Sequence, residues 1–344
     1  MDRDRACVIH GAHDLRVEDV ERQPVGPDQL EVAVAAGGIC GSDLSYFLKG
    51  AVGDFRVREP MVLGHEVVGI VAKTADGVDP GMLGRRVVIN PSRPCGRCVL
   101  CQAGRDNICS HGSFLGSAAP FPHVQGGFRE HLVIQASQVV PIPPRLSFET
   151  AVFAEPLAVA IHALHRAGDP RDRAVIVIGA GPIGALLTLV ARHRGCASVT
   201  VADVRDEPLQ AARLVGATRV VNTSAGDESL DPGDIVFEAS GTSAGLDTAL
   251  RSVNRGGSVV QVGLLPGTPV PVPGSVIVTA ELTLCGSFRF TGAEFQEAVT
   301  LLAEGLDVAP LLTARIALDS ALEAFTLASD RTASLKVQLV VGGR

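Results

Sequence analysis

The sequence contains no tryptophan and only one tyrosine, Tyr46. A chain with so few large aromatic side chains offers no platform on which successive nucleic-acid bases can stack. It also lacks an excess of positive charge, because its formal net charge is −7. Binding to nucleic acid depends on a basic surface that neutralises phosphates. These two deficits together argue against a nucleic acid as a partner.

Long apolar runs are absent as well. No stretch reaches the roughly eighteen apolar residues that cross a bilayer. The N-terminal segment MDRDRACVIHGAHDL has no apolar core like that of a secretory signal peptide. We therefore expect no membrane association and a cytoplasmic location. Cysteines are kept reduced in that compartment, which favours metal ligation over disulfide bonds.

Four of the eight cysteines lie close together, in the run PCGRCVLCQAGRDNIC. Cys95, Cys98, Cys101 and Cys109 have the spacing C-x2-C-x2-C-x7-C, which lets four thiolates meet on one metal ion. Four protein ligands fill a tetrahedral shell and leave no position for a substrate, so we predict a structural zinc site. An iron–sulfur cluster is the alternative, but a ferredoxin run places its fourth cysteine after three residues and then a proline.

The chain of 344 residues is long enough for two domains. Short β-rich segments separated by Gly, Pro and Asp fill the first 150 residues or so. After residue 151, strands and helices alternate, which predicts a parallel sheet with helices on both faces. The run FETAVFAEPLAVAIHALHRAG is predicted to form one helix. The tail from about 288 is predicted to hold short mixed elements and a final strand, LKVQLVVGG.

A glycine-rich turn follows the predicted strand AVIVI and opens a helix, whose free N–H groups favour a pyrophosphate. The turn residues predicted to contact the cofactor are Gly179, Gly181, Pro182, Ile183 and Gly184. Asp203 ends the next predicted strand, where it can accept hydrogen bonds from ribose hydroxyls and repel a 2′-phosphate. The pattern therefore predicts NAD binding. Arg205 lies two residues further on and softens the preference, so NADP stays open.

Cysteine, histidine and glutamate also occur outside the cysteine cluster, at predicted loop–strand junctions. Cys40 lies in GGICGSD, His65 and Glu66 lie in VLGHEVVG, and Glu155 lies in AEPLAVAIHA. An enzyme that oxidises alcohols with a nicotinamide must stabilise the charge that develops on the substrate oxygen. Zinc with three protein ligands leaves a position open for that oxygen. We therefore predict a second, catalytic zinc ion.

These motifs, in this order, resemble those of the zinc-dependent medium-chain alcohol and polyol dehydrogenases. The resemblance covers essentially the whole chain. It implies an α/β protein with a GroES-like, mostly β catalytic domain, a Rossmann cofactor domain and an active site in the cleft between them. The implied bounds are 1–154 with a zinc lobe at about 90–112, 155–287 for the Rossmann domain, and 288–344 for the return to the catalytic domain.

Longer stretches such as INPSRPCGRC and FLGSAAPFPHVQGGF are more similar to the L-idonate 5-dehydrogenases of this family than to its sorbitol dehydrogenases. The resemblance thus implies NAD-linked oxidation of a secondary alcohol in a sugar acid or polyol. L-idonate, oxidised to 5-keto-D-gluconate, is the first candidate substrate, and sorbitol, xylitol or L-iditol is the alternative. It also implies a homo-oligomer, either a dimer or a tetramer.

The resemblance assigns roles at the second metal site. The residues that match catalytic-zinc positions are Cys40, His65 and Glu155, with Glu66 as an acidic neighbour that ligates this zinc in some members. Ser42 matches the hydroxyl that takes the substrate proton. Glu155 followed by proline is the polyol pattern, since the alcohol dehydrogenases carry cysteine there. Ser45 stands where relatives often have the histidine at the solvent end of the proton relay, so the relay is expected to end elsewhere.

Further residues are implied to contact cofactor or substrate. Those matched to cofactor positions beyond the glycine turn are Val262, Gly263, Leu264, Ser287, Phe288 and Arg289. Those matched to the substrate side are Tyr46, Glu155, Arg289 and Phe290. Idonate carries a carboxylate that sorbitol lacks, and Arg289 is a cation suited to bind it. Phe290 replaces a tyrosine of the sorbitol dehydrogenases and removes one hydroxyl from the predicted pocket.

Two other functions use the same fold. A non-catalytic nucleotide-binding protein needs neither zinc ligands nor a relay hydroxyl, yet Cys40, Ser42, His65 and Glu155 are all present. The same residues disfavour a zinc-free reductase of the quinone type. One zinc ion per chain, instead of the two predicted, would revive that alternative.

Overall fold

The computed structural model describes residues 3–224 and 229–342. The chain forms two compact units: the first contains residues 1–155, 291–330 and 336–344, and the second contains 156–290 and 331–335. The chain therefore leaves the first unit after Glu155, returns to it at Thr291 and ends in it. No helix within the described residues is both long enough and apolar enough to cross a membrane.

The first unit is mostly β-structure. Its strands are β1 (Arg3–Gly11), β2 (Asp14–Glu21), β3 (Gln29–Gly38), β4 (Ala51–Val52), β5 (Phe55–Arg56), β6 (Met61–Val62), β7 (Glu66–Thr74), β8 (Arg86–Ile89), β9 (Ser92–Arg93), β10 (Ser113–Phe114), β11 (His131–Gln135), β12 (Val139–Pro141), β19 (Leu312–Ala317) and β20 (Lys336–Val340). Its helices are α1 (Gly41–Lys49), α2 (Val99–Gln102), α3 (Phe148–Ala151), α9 (Gly292–Ala303) and α10 (Ala321–Ser329). Single 3-10 turns lie at Pro80–Met82, Asp106–Ile108, Ala136–Gln138, Ala309–Leu311 and Leu318–Ser320.

The main sheet of the first unit has the order β12-β8-β7-β3-β20-β19, and β11 pairs with β3 as well. Its register sets Gly38, the last residue of β3, opposite Glu66 on β7 and opposite Gln338 on β20. Apolar side chains of β20 pack with α10 in a buried core that includes Phe128 and Phe325. The end of β3 and the starts of β7 and β20 therefore lie side by side at one end of these three interior strands.

The second unit alternates strands and helices. Its strands are β13 (Ala174–Ile178), β14 (Ser198–Asp203), β15 (Arg219–Asn222), β16 (Gly233–Glu238), β17 (Val253–Gln261) and β18 (Thr283–Gly286). Its helices are α5 (Pro182–His193), α6 (Asp206–Leu214), α7 (Ser243–Arg251) and α8 (Gly274–Thr279), while α4 (Ala154–Ala167) begins in the first unit. The strands are parallel, in the order β15-β14-β13-β16-β17-β18, which is that of a Rossmann fold. The predicted fold class is confirmed.

Two predicted elements differ from the structure. The run FETAVFAEPLAVAIHALHRAG forms the two helices α3 and α4, because in one continuous helix the ring of Pro156 would clash with the carbonyl of Val152. The tail after residue 288 contains α9, a helix of 12 residues, and not only short elements. Its start is fixed by a capping box in which Thr291 and Glu294 each bond the backbone N–H of the other.

Candidate active site

The structure brings the four clustered cysteines together. Their sulfur atoms, on Cys95, Cys98, Cys101 and Cys109, all lie within 4.8 Å of one another. The Cys98 sulfur lies 3.5 Å from that of Cys101 and 3.8 Å from that of Cys109. Zinc–sulfur bonds of about 2.3 Å in a tetrahedron place the sulfurs about 3.8 Å apart. The cluster therefore fits a zinc ion held by four thiolates.

The backbone around this cluster favours thiolates. The Cys101 N–H group lowers the pKa of Cys98 to about 6. The N–H groups of Arg97 and Cys98 lower the pKa of Cys95. Desolvation, followed by the neighbouring thiols, raises the pKa of Cys101 to about 12. Zinc binds the deprotonated form of cysteine, so a bound ion would hold all four sulfurs as thiolates despite these differences in pKa.

The cysteine lobe, residues 93–112, has almost no core of its own. Asn107 is its one buried residue among those the structure describes. Its regular structure is limited to α2, one 3-10 turn and the two-residue pairing of β9 with β10. Val99, which is 77% exposed, contributes no apolar packing. The order of the lobe must therefore come from its metal ligands.

A turn at each of two strand ends positions Cys40 and His65. Cys40 is the N-cap of α1, and its N–H group donates to Asp43 Oδ2 at 2.9 Å. Gly64 adopts φ 98°, a conformation that glycine tolerates, and turns the chain just before His65. The ring of Phe128 fills the space that a side chain at residue 64 would need. The tight turn therefore depends both on glycine and on this buried ring.

The metal-ligating atoms of Cys40, His65 and Glu66 lie within 4.8 Å of one another. Asp43 Oδ1 is 3.8 Å from His65 Nδ1 and has no hydrogen-bond partner among the described residues. A carboxylate facing Nδ1 leaves Nε2 as the nitrogen that binds a metal, an orientation common at zinc sites. Burial lowers the pKa of His65. Asp43 and then Cys40 raise it by more than burial lowers it, so the pKa of His65 lies well above its usual value.

Glu155 lies in the first turn of α4, 5% exposed. It lies outside the group formed by Cys40, His65 and Glu66, but their charges act on it. Burial raises the pKa of Glu155 to about 7, with His65 opposing the rise and Glu66 adding to it. Cys40, Glu66, Glu155 and Asp43 can each be anionic, so four possible negative charges lie at this site. A divalent cation compensates this charge, so these residues fit a zinc ion.

Sequence analysis missed one cation at this site. Lys336, the first residue of β20, is 2% exposed. Its ammonium contacts both carboxylate oxygens of Glu66 and donates to the carbonyl oxygen of Ile39 at 3.1 Å. Burial lowers the pKa of Lys336. Glu66 and Cys40 raise it by more than burial lowers it, so the ammonium stays charged. A lysine at the start of a mostly apolar strand, KVQLV, was the one signal available in the sequence.

Helix α1 carries the predicted relay and one predicted substrate contact. The hydroxyl of Ser42 is half-buried and has no hydrogen-bond partner among the described residues. Ser45 donates to the carbonyl of Gly41 at 2.9 Å. Tyr46 is buried, and its hydroxyl accepts a hydrogen bond from the N–H of Ala118 at 2.9 Å. Of these three hydroxyls, only that of Ser42 is therefore left without a hydrogen bond to another described residue.

An aromatic ring beside His65 was also missed. The ring centroid of Phe114 lies 5.5 Å from that of His65, at a tilt of 54°. Phe114 is the last residue of β10, which follows the cysteine lobe directly in sequence. The spacing of chemical motifs gives no signal for such an apolar neighbour. Its ring limits the movement of the imidazole.

The glycine turn of the second unit has the geometry of a dinucleotide site. Gly179 adopts φ 97°, and a side chain there would meet the backbone of Ser240. A side chain on Gly184 would collide with the carbonyl oxygen of Gly179. Pro182 is the first residue of α5, so the free N–H groups of that helix begin at this turn.

Asp203 ends β14 beside the glycine turn. Its Oδ2 accepts a hydrogen bond from the N–H of Ala180 at 2.7 Å, and its Oδ1 accepts one from the N–H of Arg205 at 3.1 Å. Each carboxylate oxygen has a second lone pair, which a ribose hydroxyl can use. The Arg205 side chain is exposed. The structure thus places the two predicted determinants of NAD preference next to each other.

Arg331 is a second cation that sequence analysis missed. Its Nη1 lies 3.2 Å from the point where a Cβ on Gly181 would be. The guanidinium is therefore at the glycine turn, where the N-terminal end of α5 also favours negative charge. Arg331 lies far from this turn in the sequence, so no local pattern indicates the contact.

The other predicted contacts follow β17 and β18, at the carboxyl edge of the parallel sheet, where such folds bind ligands. The N–H groups of Val262 and Gly263 both donate to the Glu238 carbonyl at 2.9 Å, and Leu264 is 69% exposed. The N–H of Ser287 donates to the Gln261 carbonyl at 2.9 Å.

Residues 288–290 follow directly. Arg289 adopts φ 54°, in the left-handed region that residues other than glycine rarely occupy. Its guanidinium lies 4.8 Å from the ring centroid of Phe288, which is exposed. Phe290, by contrast, is 1% exposed. Of the two predicted substrate residues here, Arg289 is therefore half-buried and Phe290 is fully buried.

Comparison with known proteins gives consistent matches. Residues 26–144 match the family model of the alcohol dehydrogenase GroES-like domain, and residues 182–304 match that of the zinc-binding dehydrogenases. The chain is 41% identical to the L-idonate 5-dehydrogenase (NAD(P)(+)) of Escherichia coli K12, over 98% of both chains. It is 32% identical to the sorbitol dehydrogenase of Bacillus subtilis, over 93% of this chain and 92% of the other. The crystal structure of L-idonate 5-dehydrogenase from Escherichia coli K-12 superposes with a TM-score of 0.92 at 38% identity, over 98% of both chains.

Proposed function

The chain belongs to the zinc-binding alcohol dehydrogenase family, and on that premise we propose that it oxidises a secondary alcohol of a sugar acid or polyol with NAD. The family resemblance drawn from the motifs is confirmed by the matches. The observation that carries the proposal is the grouping of Cys40, His65 and Glu66 where β3 ends and β7 begins. Glu155 lies within electrostatic reach of it, and Ser42 is two residues from Cys40.

The residues divide the chemistry as follows. Zinc held by Cys40, His65 and Glu155 would polarise the substrate hydroxyl, and bound NAD would accept a hydride from the same carbon. Ser42 takes the hydroxyl proton and gives up its own, so it carries no lasting charge. Ser45 cannot store that proton as an imidazole would, so the relay ends on water, on a ribose hydroxyl of the cofactor or on another residue. The alcohol becomes a ketone, with one NADH formed and one proton released.

L-idonate, oxidised at carbon 5 to 5-keto-D-gluconate, is the substrate we propose first, since the relative named for that enzyme is similar over nearly the full length. We propose that Arg289 binds its carboxylate, because this cation follows β18 at the carboxyl edge of the parallel sheet, where such folds bind ligands. Tyr46 and Phe290 are the further residues proposed on the substrate side. Sorbitol, xylitol or L-iditol is the second candidate, supported by the relative named sorbitol dehydrogenase.

NAD is the cofactor we propose, with two zinc ions per chain. The Asp203 carboxylate lies at the glycine turn, so the 2′-phosphate of NADP would meet a negative charge there. The exposed Arg205 beside it leaves NADP as a weaker alternative.

The test is the initial rate of NADH formation with L-idonate, D-gluconate, sorbitol, xylitol and L-threonine, each with NAD and with NADP. We expect kcat/KM for L-idonate with NAD to be the highest. The Arg289→Ala variant should lose that preference, while the Arg289→Lys variant should keep part of it. A preference of the parent protein for sorbitol or xylitol would retain the mechanism and reject carboxylate recognition. No activity from a protein with two bound zinc ions would reject the substrate class.

We also propose that the chain forms a homo-oligomer, a dimer or a tetramer. Strand β18 lies at the edge of its sheet among the described residues, and Leu284 on it is 36% exposed. Val278, in the preceding helix α8, is 75% exposed. Apolar side chains beside an open strand edge are typical of a surface that pairs with another copy. Light scattering on the parent protein and a Leu284→Arg variant tests this proposal.

The predicted domain bounds and location complete the proposal. We propose that residues 1–154 and 288–344 form the catalytic domain, and that 155–287 form the cofactor domain. A site with four thiolates needs reduced cysteines, which supports the cytoplasm as the location. Fractionation of cells that express the protein would test it.

A further inference from the structure

Glu238, the last residue of β16, carries a fully buried carboxylate whose partners among the described residues are all neutral donors. Its Oε1 accepts hydrogen bonds from the N–H group of Ser240 at 2.8 Å and from the Ser240 hydroxyl. The N–H group of Gly241 donates to both carboxylate oxygens at 3.1 Å. The side-chain amide of Gln261 donates to Oε2. A buried carboxylate must keep such donors in place of water, so it is tied to every segment that supplies one.

These donors lie on two different segments of the second unit. The 240 loop, residues 239–242, follows β16, and the 262 loop, residues 262–264, follows β17. Gln261 ends β17, and its Nε2 also donates to the carbonyl oxygen of Gly263 at 2.7 Å. The carbonyl oxygen of Glu238 accepts the N–H groups of Val262 and Gly263, each at 2.9 Å. One residue therefore fixes the start of both loops.

The two loops are also packed directly against each other. Gly241 adopts φ 67°, and a Cβ there would lie 2.7 Å from the carbonyl oxygen of Leu264. A Cβ on Gly263 would collide with the backbone nitrogen of Gly241. Glycine at these positions lets the two backbones touch, so a shift of one loop displaces the other.

The position of the loops in the sheet indicates what they serve. The strand order reverses between β13 and β16, and a Rossmann fold binds its dinucleotide across that point, one nucleotide on each side. Asp203, which ends β14, marks the side of the adenosine ribose. The 240 and 262 loops follow β16 and β17, on the other side. That side is left for the nicotinamide half of the cofactor.

We propose that Glu238 is a positioning residue that holds the 240 and 262 loops in place for the nicotinamide half of the cofactor. The proposal rests on the proposed NAD-linked function. The carboxylate acts through the loop backbones and not by touching the cofactor. Its loss leaves the N–H groups of Ser240 and Gly241 without their acceptor and loosens both loops. Binding of the nicotinamide half is then weakened, while the adenosine half is still held beside Asp203.

The test compares the binding of NADH and of AMP to the full-length protein by calorimetry. NADH contains both halves of the cofactor, whereas AMP contains only the adenosine half. Glu238→Ala should raise Kd for NADH at least about tenfold and change Kd for AMP less than about twofold. Glu238→Gln, which keeps an acceptor for the 240 loop, should recover part of this loss. Gln261→Leu, which removes only the side-chain link to the 262 loop, should raise Kd for NADH about threefold.

Asp234, near the start of the same strand, provides the matched control. Its Oδ2 accepts a hydrogen bond from the N–H of Ala174 at 2.9 Å, and its Oδ1 accepts one from the side-chain amide of Asn254 at 2.9 Å. This carboxylate therefore connects β16 to both neighbouring strands at the amino edge of the sheet, opposite the edge where such folds bind ligands. Asp234→Ala should lower the stability of the second unit and leave both Kd values as in the parent protein.

The variants separate positioning from a merely structural role. Three results overturn the proposal: an unchanged Kd for NADH in Glu238→Ala, an equal rise in Asp234→Ala, or a rise for AMP as large as that for NADH. If Glu238→Ala does not fold, Glu238→Gln and Gln261→Leu decide, and binding of NADH as in the parent by both overturns it. A parent protein that binds NADH yet oxidises no alcohol rejects the proposed function and leaves the role of Glu238 intact.

Discussion

The ring of Phe128 should control the stability of the turn that carries His65. Phe128 is completely buried, fills the space beside Gly64 and lies 6.4 Å from the ring of Phe325, edge to face. Replacing a buried phenylalanine by alanine costs about 3–5 kcal/mol. We expect Phe128→Ala to lower the opening free energy of the first unit by that amount.

Part of this cost should fall on the metal site. If about one third of this free-energy cost falls on the turn at Gly64, the turn loses about 1.4 kcal/mol of stability. That loss corresponds to a tenfold change in an equilibrium constant. Zinc bound at His65 should then be lost to a chelator about tenfold more readily. Zinc at the cysteine cluster should be retained, because its ligands lie on a separate lobe.

Phe237 provides a matched control. It is also completely buried, but in β16 of the second unit, so Phe237→Ala should cost a similar amount. Hydrogen exchange of core amides gives the opening free energy of each unit separately. Metal analysis during chelation gives the zinc loss. If Phe128→Ala and Phe237→Ala lost the catalytic zinc equally, the ring would not support the His65 turn and the reasoning would be wrong.

Four further predictions concern single side chains. Cys98→Ser should leave one zinc ion per chain by metal analysis and open the cysteine lobe to trypsin, whereas Cys285→Ser should change neither. Ser42→Ala should lower kcat by about 100-fold or more while both zinc ions remain, and an unchanged kcat would exclude it from the relay. Asp203→Ala should reduce the ratio of kcat/KM for NAD to that for NADP at least about tenfold. Arg331→Ala should raise KM for NAD without altering zinc content, and an unchanged KM would show that this guanidinium does not reach the cofactor.

Features with a local cause could be predicted from the sequence. The four ligands of the cysteine cluster lie within fourteen residues of one another, from Cys95 to Cys109. Their spacing alone therefore indicates the metal site. The turn at Gly179 and Gly184 is likewise local, because each glycine avoids a clash within the same strand–turn–helix unit. The start of α9 also has a local signal in the sequence, because Thr291 and Glu294 have capping-box spacing.

Features made by distant parts of the chain could not be predicted. Lys336 meets Glu66 across 270 residues, and only the register of β7, β3 and β20 brings them together. Arg331 reaches the glycine turn in the same way, through the topology of its unit. A single lysine or arginine has no spacing pattern to mark it. Charged residues that a fold places by long-range pairing are therefore found from the structure and not from motifs.

The position of β20 has a consequence for biosynthesis. The strand inserts between β3 and β19, and its Lys336 is synthesised 270 residues after Glu66. A nascent chain thus carries Cys40, His65 and Glu66 from an early stage, but it lacks the ammonium that pairs with Glu66 until β20 has been translated. Residues 156–290 make up nearly all of the second unit and are synthesised well before β20, so this unit can fold first. Metal taken up before β20 is made would therefore meet a Glu66 carboxylate that has no ammonium beside it.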